Sequence, residues 1–179
     1  YDSHPIESFL RICDEILAEN DRHGLKINFY GINKENEIKQ MLEEKYKNLE
    51  KNVLFHPRME NLELSKAIAR QNICLLFNDY SILGTKIFDY LAVRRKIILC
   101  YENDAEAERL KKDFYWIDEM ENESKCLQAE MINATKSGII VKDAGHLKNV
   151  LRDLMKEIEE NGFIACQSEN IEQFSRVKQ

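Results

Sequence analysis

Apolar positions along the chain switch between two periods, and the alternation predicts a sequence of helices and strands. Residues 5–20, PIESFLRICDEILAEN, carry Phe9, Leu10, Cys13, Ile16 and Leu17 at helical spacing, with Pro5 suited to a first turn. LKINFYG (25–31) reads as a strand ending at Gly31. Residues 34–48 form a charged helix with Ile38, Met41, Leu42 and Tyr46 on one stripe, and NVLFH (52–56) is a second strand. A short helix over 61–70 leads to NICLLF (72–77), a continuous apolar run suited to a strand buried on both faces.

The polar loop NDYSIL (78–83) then precedes a helix over 84–94, and KIILCY (96–101) is a fourth strand. Residues 105–113 read as a helix, YWID (115–118) as a short strand, and 123–136 as a helix with a weak pattern. GIIV (138–141) is a further strand, residues 143–160 an amphipathic helix carrying Leu147, Val150, Leu151, Leu154 and Ile158, and the tail, 168–178, a last helix. Strands alternating with helices at this spacing imply crossover units. The expected fold class is α/β: a Rossmann-like parallel sheet of about six strands with helices on both faces. No repeat or low-complexity linker divides the chain, so residues 1–179 are expected to form one domain. A doubly wound sheet usually begins with a strand, whereas this pattern opens on a helix. The chain also begins at Tyr1 and ends in FSRVKQ without a cap. Both features fit a piece of a longer protein, and trimmed flexible tails would look the same.

Composition narrows the function without naming it. A net charge of −6 argues against a nonspecific nucleic-acid binder, so no nucleic-acid partner is expected, yet it leaves room for one local basic site. Cysteines at 13, 74, 100, 126 and 166 form no C-x-x-C pair. They point to a reducing cytoplasm with neither disulfides nor zinc. No apolar stretch approaches the roughly 18 residues of a membrane span.

The chemistry concentrates in GTKIFDYLA, residues 84–92. A lysine in a first helical turn faces the positive end of the macrodipole, which is mildly unfavourable unless an anion belongs there. Ile87, Phe88, Leu91 and Ala92 share an apolar face, while Thr85 and Asp89 share another that Lys86 can reach. Gly84 permits a turn and a close approach. Backbone N–H groups, the Thr85 hydroxyl and the Lys86 ammonium would together suit a phosphate or diphosphate. Asp89, one turn in, suits two ribose hydroxyls, so a nucleoside diphosphate would satisfy both ends. The same spacing also fits a plain Lys86–Asp89 surface ion pair.

LGTKIFDYLAVRRKIIL resembles the nucleotide-sugar-binding motif of GT-B glycosyltransferases of the large family 4 kind (glycosyl transferases group 1). There the pattern runs Pro-(Ser/Thr)-Lys-(Leu/Ile)-(Phe/Tyr)-Glu-Tyr-Leu-Ala, followed by Gly-Lys-Pro and an apolar strand. KINFYG, the helix after it and NVLFHPRMENLELSKAIARQNICLLF are similar to the family's preceding segments in the same order. FSRVKQ resembles its closing Ser-Arg helix. The likeness covers most of the chain.

The resemblance implies a C-terminal domain that binds a UDP-sugar or GDP-sugar, part of an enzyme transferring a sugar to a hydroxyl acceptor, as in bacterial surface polysaccharide synthesis. Transfer in this family is usually retaining and metal-independent. Gly84, Thr85 and Lys86 would lie by the diphosphate, with Lys86 stabilising its developing charge, and Asp89 would replace the glutamate that holds the ribose. Arg58 and Met59 would offer backbone groups to the base, and Gly31 would end a strand at the same rim. No metal or other cofactor is implied. The partner implied is an N-terminal acceptor domain, with peripheral membrane contact through the full-length enzyme, and this fragment alone would be inactive.

The chain departs from the pattern at several positions. Ser81 stands where a second acid touches the donor sugar, and VRRKI replaces Gly-Lys-Pro-Val. His56 stands where glycine is common. Loss of the acid at Ser81 favours an alternative, a non-catalytic Rossmann-like nucleotide-binding or regulatory module. Elsewhere, Arg94 and Arg95 read as capping the end of the 84–94 helix. His4, His23 and His146 read as ordinary polar or half-buried residues, and Tyr115 and Trp116 as core or sheet edge.

Overall fold

The structure, a computed structural model, describes residues 4–19, 24–79, 82–114 and 126–174. The chain forms two compact units, one of Ile6–Leu64 and the other of Ser65 onward together with the segment ending at Pro5.

In the Ile6–Leu64 unit, helix α1 (Ile6–Glu19) buries Phe9, Leu10, Cys13, Ile16 and Leu17, the stripe its spacing predicts, together with Ile12. Strands β1 (Ile27–Tyr30) and β2 (Val53–His56) pair in parallel, with Ile27 opposite Val53 and Tyr30 opposite His56. Helix α2 (Glu35–Lys45) crosses between them. Cross-strand rings stack along the pair, Phe29 on Phe55 at 5.6 Å and Tyr30 on His56 at 4.6 Å. Such pairs hold a short two-stranded sheet in register. The Asp14 carboxylate accepts the backbone N–H groups of Asn48 and Leu49, which fixes the turn after α2. A 3-10 turn over Glu50–Asn52 delivers the chain to β2.

Helix α3 (Asn61–Ala69) spans the boundary between the units. The second unit holds a three-stranded parallel sheet of β3 (Ile73–Phe77), β4 (Lys96–Cys100) and β5 (Gly138–Val141), with β4 in the middle. Ile73 lies opposite Lys96, and Ile97 opposite Gly138. Helix α4 (Lys86–Ala92) connects β3 to β4. Helices α5 (Ala105–Phe114) and α6 (Leu127–Thr135) precede β5, and α7 (Ala144–Asn161) follows it. Ile97, Ile98, Leu99 and Cys100 of β4 are all buried, as a central strand requires. Leu76, Ile87, Leu91, Ile97, Leu99, Ala129 and Ile132 form one apolar cluster joining α4 and α6 to the sheet. Asp143 caps α7 by accepting the His146 N–H at 2.8 Å, and Gly162, at φ +77°, ends it.

The α/β class and the parallel pairing agree with the sequence. The expected single sheet of about six strands does not appear as such: the described residues hold five strands in two sheets. The strand read at 115–118 lies outside them. The helix expected over 84–94 is shorter because left-handed residues bracket it, Gly84 at φ +66° and Arg94 at φ +52°. The expected tail helix reduces, among the described residues, to a 3-10 turn at Ile171–Phe174. Asn170, at φ +56°, cannot belong to a right-handed helix, so none runs through from 168.

Candidate functional site

The segment from β3 to α4 is built on polar groups held under its surface. Asn78 is buried: its N–H donates to Cys100 O at 2.6 Å, extending the β3–β4 ladder by one bond, and its side-chain amide donates to Tyr101 O. Asp79 is held twice. Its N–H donates to Gln128 Oε1 at 3.0 Å, and its carboxylate lies 3.0 Å from His4 Nε2. The His4 ring stacks on Phe77 with centroids 5.2 Å apart. Gln128 Nε2 then donates to Leu83 O at 3.4 Å, at the far end of the same segment. The Ile82 N–H returns to Asp79 O at 3.0 Å.

From this base the chain enters α4 through Gly84. An added Cβ there would meet nothing within 4 Å, so the glycine serves the left-handed backbone and not a tight packing contact. Thr85 precedes the helix in right-handed geometry and makes no capping bond through its hydroxyl. Ile87 and Leu91 are buried, and Phe88 and Tyr90 pack against the same cluster. Burial raises the Tyr90 hydroxyl above its usual range. Gly84, Thr85, Lys86 and Asp89 are all exposed. The stretch thus buries Ile87 and Leu91 and exposes its polar residues, but Ala92, expected on the apolar face, is exposed at the last position of the helix. Lys86 and Asp89 do not form the ion pair their spacing allows. Seven residues give α4 only a small dipole, so the unfavourable placement of Lys86 costs little, and the positive charge here is chiefly its ammonium.

Behind α4, Arg94 lies within VRRKI, the run that departs from Gly-Lys-Pro-Val. Its φ of +52° is left-handed, a shape glycine adopts freely and arginine does not. The side chain bonds Glu172 at 2.8 Å. Arg95 does not cap α4 as expected: its Nε donates to Ala69 O at 2.8 Å, so it satisfies the end of α3.

The remaining candidates belong to the Ile6–Leu64 unit, apart from Ser81, which lies outside the described residues. Gly31 ends β1 at φ +59°, and its N–H donates to His56 O at 2.9 Å. A Cβ on Gly31 would come within 3.2 Å of Arg58 Cα. Gly31, His56 and Arg58 therefore converge at the carboxyl ends of β1 and β2, with Arg58 exposed and Met59 half-buried. The His56 Nε2 donates to Asn28 Oδ1 at 2.8 Å, which ties the ring to the sheet.

Sequence reasoning missed the bracing by Gln128, Asn78 and His4. The polar pair Asn78–Asp79 directly after an apolar strand marked the place, but nothing in the weak 123–136 pattern singled out Gln128. Cys13, Cys74 and Cys100 are buried, and burial pushes the Cys74 thiol up to about 12. Among the described residues, no cluster of three or more His, Cys, Asp or Glu could hold a metal ion, and no helix is long and apolar enough to cross a membrane. Comparison with protein-family models, curated proteins and solved structures gives no match.

Proposed function

We propose that the chain is the donor-binding domain of a glycosyltransferase, a Rossmann-like module that takes a nucleoside diphosphate sugar for transfer to a hydroxyl acceptor. One observation carries the reading. The stretch resembling the family motif starts beyond the carboxyl end of a parallel strand, where open α/β sheets place ligands, and exposes Gly84, Thr85, Lys86 and Asp89. In this reading the Lys86 ammonium, the Thr85 hydroxyl and the amide groups after Gly84 receive the diphosphate, and Asp89 receives the ribose. Lys86 would stabilise the leaving diphosphate as charge develops on it.

The test is a thermal titration of the chain with UDP and with GDP, alongside Lys86→Ala and Asp89→Ala. A ligand at ten times its Kd stabilises the folded state by about 1.4 kcal/mol. The wild-type melting temperature is expected to rise with one nucleotide at millimolar concentration, and Lys86→Ala to abolish most of the rise. If neither nucleotide moves the wild-type transition, the reading is lost.

Ser81, in place of the sugar-contacting acid, favours a second reading: a module that binds the nucleotide without handling a sugar. A UDP-sugar or GDP-sugar that binds no better than the bare nucleotide supports this second reading.

A further inference from the structure

Gln128 is 2 % exposed, on a helix whose neighbouring Ala129 and Ile132 belong to the apolar cluster. An apolar residue would fill that position without the desolvation and rotamer cost of a buried carboxamide. Neither of the groups it bonds lies on α6. Its Oε1 accepts the Asp79 N–H, and its Nε2 reaches Leu83 O, so one carboxamide spans both ends of the connection between β3 and α4. The residue directly after Leu83 is Gly84, where the exposed polar stretch begins.

We infer that Gln128 is a positioning residue: its carboxamide fixes the backbone at Asp79 and Leu83 and, through Leu83, the placement of Gly84, Thr85 and Lys86. The consequence for ligand binding rests on the nucleotide reading above. The effect on the connection itself does not.

The experiment uses the full chain and two readouts, backbone amide exchange at Asp79 and the melting shift given by UDP or GDP. Gln128→Leu removes both bonds, Gln128→Glu keeps the acceptor for Asp79, and Gln128→Met serves in place of the leucine variant should that one not fold. Thr135→Val is the control, since the Thr135 hydroxyl is buried on the same helix but bonds Met131 O and Ser137 Oγ instead. The Asp79 amide is expected to exchange about tenfold faster in Gln128→Leu, the size of one lost buried hydrogen bond. Protection should persist in Gln128→Glu and in Thr135→Val, and the nucleotide shift should shrink in Gln128→Leu beyond its fall in Thr135→Val.

Equal Asp79 exchange in Gln128→Leu and Thr135→Val, or an unprotected Asp79 amide in the wild type, overturns the inference. If exchange behaves as expected while no nucleotide shifts the wild type, the donor-binding reading fails and the positioning role stands.

Discussion

At the amino end of the β3–β4–β5 sheet, Lys96 and Lys136 border a groove of about 380 Å3 together with Ser137, Gly138 and Cys166. Both cations there are matched, Lys96 with Glu157 at 3.4 Å and Lys136 with Glu169 at 2.9 Å. At the carboxyl end, the Thr85 hydroxyl caps nothing, and Thr85, Lys86 and Asp89 are all exposed. Buried amides hold the backbone there, and the Asp79 carboxylate lies against His4. One end uses its charges to close the fold. The other carries Lys86 and Asp89 exposed on a frame braced by buried amides.

The glycines at the two ends differ in the same way, and substituting them gives the strongest contrast. At Gly138 an added Cβ would lie 2.1 Å from Ile97 O, a backbone atom that cannot step aside. Gly138→Ala is therefore expected to cost about 3 kcal/mol, the upper range for overpacking, measured as a fall in the urea midpoint. Gly84→Ala meets open space and carries only the left-handed penalty, about 1–2 kcal/mol. A larger loss at Gly84 than at Gly138 would reverse the comparison.

Arg94→Gly should act in the opposite direction. It relieves a left-handed arginine and gives up an exposed pair with Glu172 that contributes little. A gain of about 0.5–1 kcal/mol in urea unfolding is the expected result.

The smallest effect concerns pH at the amino end. The Glu157 carboxyl is held below its ordinary value, first by the Ala165 N–H it accepts and then by Lys96. A lowered carboxyl stabilises the fold above its ordinary value of 4.5, and that contribution is lost as pH falls through the lowered one. Glu157→Gln should therefore lower the urea midpoint slightly at pH 7 and leave it unchanged once the wild-type carboxyl is protonated. Urea curves at both pH values test this, and an equal loss at both would contradict it.

Much of this contrast could be read from the chain alone because apolar runs announce themselves. The continuous 72–77 and 96–101 stretches, and the face shared by Ile87 and Leu91, placed β3, α4 and β4 within one or two residues. Gly84 signalled a left-handed turn because only glycine adopts it freely. Arg94 adopts the same shape with nothing in its side chain to say so, and α4 ends earlier than its pattern suggested. Gln128 was hidden for a similar reason: a glutamine is ordinarily a surface residue, and only the fold shows that its partners lie 45 and more positions away. The apolar continuity of the strands likewise gave no sign that the described ones pair as two separate sheets.

The 3-10 turn at Ile171–Phe174 lies against the back of α4. Phe174 approaches Phe88 with ring centroids 6.0 Å apart, and Glu172 reaches Arg94. A helix of two turns has too few internal bonds to persist without such props. The 3-10 turn therefore works as a splint, and removing it would slacken the polar surface on the same helix.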